Sequence, residues 1–349
     1  MAALKRGVLV VIALALAGTP ASAADAIAGQ TGLQTGIVFR EDSELAHNAE
    51  LIRRSVSPLT AWRLQRQAAA AGATIRDRPI DLATETFTLY VPDTAPARGY
   101  AVLVFIPPWR QAAMPPHWGP VFDRHDMIFV SAANSGNDAV TLDRREPLAL
   151  LAAVNVMKRY LVDPQRVYVG GFSGGSKVAL RVAVGYPDLF HGALLDAGSD
   201  PLGGEIAIPP APLLHRLQEA TRLVYLTGGH DEFHLTADKT SRRSMESGCV
   251  ADIDTEAMPK IWHEPADPAS LDRALTALEQ HIPADPATLA ACRAALDAAM
   301  NAALQQVEGL AAAGKREEAE ARLNALDQRF GALATPRSIE LAEKIEAGR

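Results

Sequence analysis

Residues Arg166–Leu180 read RVYVGGFSGGSKVAL. The apolar run Val167–Val169 suits a strand, Ser176–Tyr186 carries apolar residues at helical spacing, and four glycines surround Ser173 between them. Gly171-Phe172-Ser173-Gly174-Gly175 fits G-x-S-x-G, a strand-to-helix turn that exposes a nucleophilic serine. Such a turn is sharp and strains the backbone of the serine, so its flanking residues must be small. A competing pattern is the phosphate loop G-x-x-x-x-G-K-[ST]. Gly170 to Gly175 has its glycine spacing, but Ser176 stands where lysine is required and Lys177 comes one place late. On a helix that shift turns a side chain by about 100°, away from the phosphates. A purely structural glycine-rich turn is the remaining alternative.

Working outward, strand-like and helix-like segments alternate. IDLATETFTLYVPD (Ile80–Asp93) alternates in its second half like a half-buried strand. YAVLVFIPP (Tyr100–Pro108) and MIFVSAAN (Met127–Asn134) are continuous apolar runs, as expected of strands buried on both faces. LALLAAVNVMKRYL (Leu148–Leu161) has helical spacing, and GALLDAG (Gly192–Gly198), PLLHRLQEA (Pro212–Ala220) and LVYLTG (Leu223–Gly228) continue the alternation to a last short strand, Asp252–Met258. The pattern predicts βαβ units and a mostly parallel sheet flanked by helices. Asp267 with Pro268 marks a helix start.

The ends of the chain differ in texture. MAALKRGVLVVIALALAGTPASAADA carries Lys5 and Arg6, an apolar run Val8–Ala17 and the A-x-A pattern Ala21-Ser22-Ala23, which reads as a cleaved signal peptide over 1–23. The run is shorter than the ~20 residues that span a bilayer. A periplasmic or secreted location without a stable membrane span is therefore expected. Residues 24–74 read as a linker followed by a helical segment, 75–284 as the α/β domain, and 285–349 as an Ala-, Leu-, Glu- and Arg-rich helical hairpin docked on it. A coiled-coil interaction element is the other reading of that tail. With 34 Lys plus Arg against 41 Asp plus Glu, net charge −7 and no dense basic run, nucleic acid is not an expected partner. Two cysteines, Cys249 and Cys292, can pair in an oxidising compartment; two separate buried thiols are the alternative.

The stretch from Val162-Asp163-Pro164 through Gly175 resembles the alpha/beta-hydrolase superfamily, and within it the secreted esterase and polyhydroxybutyrate-depolymerase-like group. The resemblance covers about Ile80 to His281. It implies Ser173 as nucleophile, His263 in MPKIWHEP as general base and then acid, and Asp231 in LVYLTGGHDEFH as the acid that orients it, in the order serine, acid, histidine. Glu232 is a rival carboxylate, and His230 and His234 are rival bases on the acid's own loop. His230 and His234 also have i, i+4 metal spacing, but a solvated loop pair is the expected reading and no metal site is called for. His47, His117, His125, His191, His215 and His281 carry no pattern; surface or structural roles are expected of them.

The resemblance also implies an oxyanion hole with Gly174 N–H as one donor. The second donor comes from the loop after the Tyr100–Ile106 strand, where relatives carry a His-Gly motif. Here that loop is Pro107-Pro108-Trp109-Arg110, prolines have no N–H, and Trp109 stands where the family's donor falls. Trp109 can also serve by packing alone. Asn134 and Asn137, at the end of the next strand, are placed to border the cleft. The expected function is an exported serine esterase (EC 3.1.1) that acts on a small or polymeric carboxylic ester through an acyl-enzyme, with no cofactor. A serine peptidase on the same triad, or an inactive hydrolase-fold binding module, are the alternatives.

Overall fold

A computed structural model describes residues 30–347. The signal peptide expected over 1–23 lies outside the described residues. Eight strands form one sheet in the order β1-β2-β4-β3-β5-β6-β7-β8, made of β1 (Gly32–Ile37), β2 (Phe87–Val91), β3 (Tyr100–Ile106), β4 (Met127–Ala132), β5 (Val162–Phe172), β6 (Gly192–Asp196), β7 (Arg222–Gly228) and β8 (Ile253–Met258). β1 and β2 join antiparallel, and every pairing from β4 through β8 is parallel. With helices on both faces, this is the alpha/beta-hydrolase fold.

The apolar runs fold as expected because both faces of the sheet are covered. All residues of β3, β4, β6 and β7 are buried. Period-two alternation then sorts them. Val102, Val104 and Ile106 pack into a core under α1 (Asn48–Ser55), α4 (Glu146–Arg159), α5 (Gly174–Gly185) and α6 (Ala211–Ala220). Ala101, Leu103 and Phe105 face a second core under α3 (Gly119–Arg124) and α8 (Pro268–Leu278). α7 (Glu232–Ser247) follows β7 and places Met245 in the first core.

Two expectations need correction. Within residues 24–74, whose start is expected as linker, Gly32–Ile37 is instead β1, which adds an edge strand by pairing Leu33 with Tyr90 and Gln34 with Leu89. Gly32, Gln34 and Gly36 carry little strand propensity, so only the long-range pairing reveals the strand. The tail is more than a hairpin. α9 (Pro286–Ala312) and α10 (Arg316–Phe330) are followed by α11 (Arg337–Ala347), and together with α2 (Pro58–Ala70) they close a third core around Leu59, Leu304, Leu323, Phe330 and Ile345. The N-terminal segment thus supplies part of the tail's interior. A disulfide between Cys249, after α7, and Cys292, in α9, fastens the tail to the α/β domain with Cα atoms 5.8 Å apart. Among the described residues no helix is long and apolar enough to cross a membrane.

Candidate active site

In an open parallel sheet the carboxyl ends of the strands gather functional side chains. β5, β7 and β8 deliver Ser173, Asp231 and His263 there. Ser173 has φ 55° and ψ −123°, a left-handed conformation that a side-chain-bearing residue adopts only at a cost of order 1–3 kcal/mol. Its backbone is held by Ser173 N–H donating to Asp196 O at 2.8 Å and by Ser176 N–H donating to Ser173 O at 3.0 Å. The flanking glycines are required by space. A Cβ on Gly175 would land on the Ile106 carbonyl, and one on Gly171 would meet Gly175 and Ile106. The serine is strained because strand and helix are packed to backbone contact around it.

Asp231 caps α7 with its side chain, accepting from His234 N–H, and is buried. His263 Nδ1 lies 2.6 Å from Asp231 Oδ2, and His263 Nε2 lies 2.9 Å from Ser173 Oγ. A carboxylate can only accept, so the Nδ1–H of neutral His263 donates to Asp231 and leaves Nε2 to accept from the serine hydroxyl. Burial pushes the Asp231 carboxyl up, but hydrogen bonds from His234 and His263 outweigh it and hold its pKa below the usual value. It is therefore an anion at neutral pH. The His263 ring lies beside Phe172, at 4.8 Å between centroids.

The rivals resolve by position. Glu232 is exposed in the first turn of α7. His230 stacks on exposed Trp262 at 4.9 Å. Lys177 pairs with Asp200 at 2.6 Å. His234 is not part of a solvated loop: it sits in α7, largely buried, with Nδ1 at 2.9 and 2.8 Å from the two Asp231 oxygens. The cap explains this, because a residue three places after a helix-capping Asp returns to that carboxylate. His125 bonds Glu279 and Asp272, His281 bonds Asp252, and His47 bonds Asp42, all away from Ser173.

Gly174 opens α5, so its N–H has no carbonyl four residues back to satisfy it. The loop after β3 is pinned to this helix end. Asn137 N–H donates to Pro108 O at 2.9 Å, and the Asn137 side-chain amide packs directly against Gly174. The half-buried Trp109 ring sits 6.3 Å from Phe172 and 6.4 Å from Phe105, a packing role. The Asn134 backbone carbonyl accepts from Arg144 Nε at 2.8 Å. Trp262 and Phe233, 65% and 74% exposed, stand beside His263 and His234 in the chain and present apolar surface next to the site.

Asp231, His234 and His263 offer atoms within 4.8 Å of one another, close enough for one cation. Both Nδ1 atoms are at hydrogen-bond distance from the carboxylate, an arrangement that protons already satisfy.

No family model matches the chain, and no curated protein matches it in sequence. Among solved structures it is similar to a ferulic acid esterase at 18% identity, over 56% of this chain and 90% of that one, with a TM-score of 0.41. It is similar to the poly(3-hydroxybutyrate) depolymerase of Bordetella parapertussis at 16% identity, over 60% and 88% of the two chains, with a TM-score of 0.42. A third likeness is to dipeptidyl peptidase 4 of Porphyromonas gingivalis at 13% identity, over 56% of this chain and 34% of that one, with a TM-score of 0.42. The fold of this protein follows from its own strand order and elbow.

Proposed function

We propose that the chain is an exported serine hydrolase that cleaves a carboxylic ester through an acyl-enzyme. The observation that carries the reading is the chain Ser173 Oγ, His263, Asp231 at 2.9 and 2.6 Å on the carboxyl edge of the sheet. Ser173 Oγ attacks the ester carbonyl while its proton passes to His263 Nε2, and Asp231 stabilises the imidazolium that forms. The oxyanion is held by Gly174 N–H, with Trp109 N–H, the first backbone donor after Pro107 and Pro108, as the second. His263 returns the proton to the leaving alcohol, and water repeats the sequence to release the acid. The choice of ester over amide comes from the resemblance of Val162–Gly175 to the esterase and depolymerase group. Exposed Trp262 and Phe233 suit an apolar acyl or alcohol group. Export is supported by the signal-peptide pattern and fits the Cys249–Cys292 disulfide, which an oxidising compartment maintains.

The mature chain should hydrolyse short p-nitrophenyl esters, and Ser173→Ala should lower kcat by at least about 10³-fold. Turnover of peptide anilides in preference to esters would move the enzyme to the peptidases. Equal turnover by Ser173→Ala would remove Ser173 from the chemistry.

A further inference from the structure

The acid of the triad serves two histidines. Asp231 Oδ2 accepts from His263 Nδ1 at 2.6 Å and from His234 Nδ1 at 2.8 Å, and Oδ1 is 2.9 Å from the same His234 nitrogen. The two imidazoles lie face to face, centroids 4.2 Å apart and planes 7° from parallel. His234 is carried by the first turn of α7, whose capping residue is Asp231, so helix, carboxylate and second ring form one rigid unit. His263 belongs to a loop after β8 and is more exposed, with 39% of its side chain accessible against 15% for His234. The more exposed member of the pair thus rests against the one carried by the helix.

We propose that His234 is a positioning residue for the hydrolytic triad: it fixes the Asp231 carboxylate through Nδ1 and backs the His263 ring by stacking. The proposal rests on the serine-hydrolase reading. Each part follows from the geometry. A carboxylate held by a helix cap and a bifurcated Nδ1–H has one orientation left to offer His263. The stacked His234 face supports the His263 imidazolium that forms on serine attack, as an aromatic face supports a cation. The charged or titratable groups facing His234 are Asp231, His263 and, one turn along α7, Asp238. The last is buried beneath Ser199 and Thr227, whose hydroxyls donate to it.

Two variants separate the parts. In His234→Asn the amide nitrogen takes the place of Nδ1, keeping the donor but losing the stack. His234→Phe keeps the stack and loses the donor. The value of kcat should stay within about threefold of wild type for His234→Asn and fall about tenfold for His234→Phe, at unchanged KM in both. Undiminished kcat in His234→Phe, or equal losses in the two variants, would overturn the proposal. Should His234→Phe not fold, judged by its melting curve, His234→Asn decides alone, and a loss of about tenfold in kcat there overturns it. A wild type with neither esterase turnover nor fluorophosphonate labelling at Ser173 instead sinks the hydrolase reading itself, and this proposal with it.

Discussion

At the amino edge of the sheet, Glu279 and Asp252 hold His125 and His281; at the carboxyl edge, Asp231 holds His263 and His234. The first two carboxylates are also bound by arginines. Arg166 Nε reaches Glu279 at 3.1 Å, and buried Arg222 is paired to Asp252. His125 has both ring nitrogens on carboxylates, Nδ1 at 2.8 Å from Glu279 and Nε2 at 3.2 Å from Asp272. Asp231, by contrast, has His234 and His263 as its ion-pair partners among the described residues. A guanidinium is always charged and holds its carboxylate whatever the pH. Where it is absent the carboxylate's charge acts on the imidazoles, and one ring nitrogen, His263 Nε2, is left to face a hydroxyl. At the carboxyl edge the acid's charge is thus directed at two imidazoles rather than shared with a guanidinium.

The sharpest way to break this contrast is to neutralise one acid at each edge. Asp231→Asn should lower kcat about 10⁴-fold at neutral pH by presenting the wrong partner to His263. Asp252→Asn should leave kcat close to wild type but reduce unfolding free energy by about 3–5 kcal/mol, because Arg222 is then buried without its full counter-charge. Comparable losses of kcat in the two variants would erase the distinction between the edges.

A smaller effect is expected at the clasp between domain and tail. The disulfide spans 43 residues. A loop of that size loses about 4 kcal/mol of stability when the bond is removed, so Cys249→Ser with Cys292→Ser should lower the melting temperature while kcat stays unchanged. A parallel loss of kcat would mean that the tail shapes the carboxyl edge.

The smallest effect is a pH dependence at the amino edge. Burial pulls the His125 pKa down, but Glu279 and Asp272 more than compensate and its pKa is raised. A raised folded-state pKa contributes stability that is fully present below the unfolded value and is lost as pH rises through the folded value. His125→Gln should therefore destabilise more at pH 5.5 than at pH 9 in chemical denaturation. A penalty that grows with pH would contradict the assignment.

Much of this was legible in the sequence, and the reason differs by element. Buried parallel strands must be apolar along their length, so β3, β4, β6 and β7 announce themselves in Tyr100–Ile106, Met127–Ala132, Gly192–Asp196 and Arg222–Gly228. The elbow is legible because backbone contact at Gly171 and Gly175 tolerates no side chain. β1 was hidden because a short Gly- and Gln-bearing segment becomes a strand only through its partner, Phe87–Val91. The third tail helix and the contribution of Leu59 to the tail's core depend on contacts across nearly the whole chain. In the sequence His234 stands out as a rival base and as the i, i+4 partner of His230, but not as a partner of Asp231, since that link arises from helix-cap geometry rather than from a motif. The Asn137 amide against Gly174 was expected only as a cleft border, because its contact depends on how two loops pack.

The most direct measurement is the mass of the mature chain after reaction with a fluorophosphonate, followed by peptide mapping. One adduct on the peptide containing Gly171–Lys177, absent in Ser173→Ala and slowed in Asp231→Asn but not in Asp252→Asn, is the predicted result. An unlabelled wild type, or an adduct that survives Ser173→Ala, would contradict the assignment of Ser173 as the nucleophile.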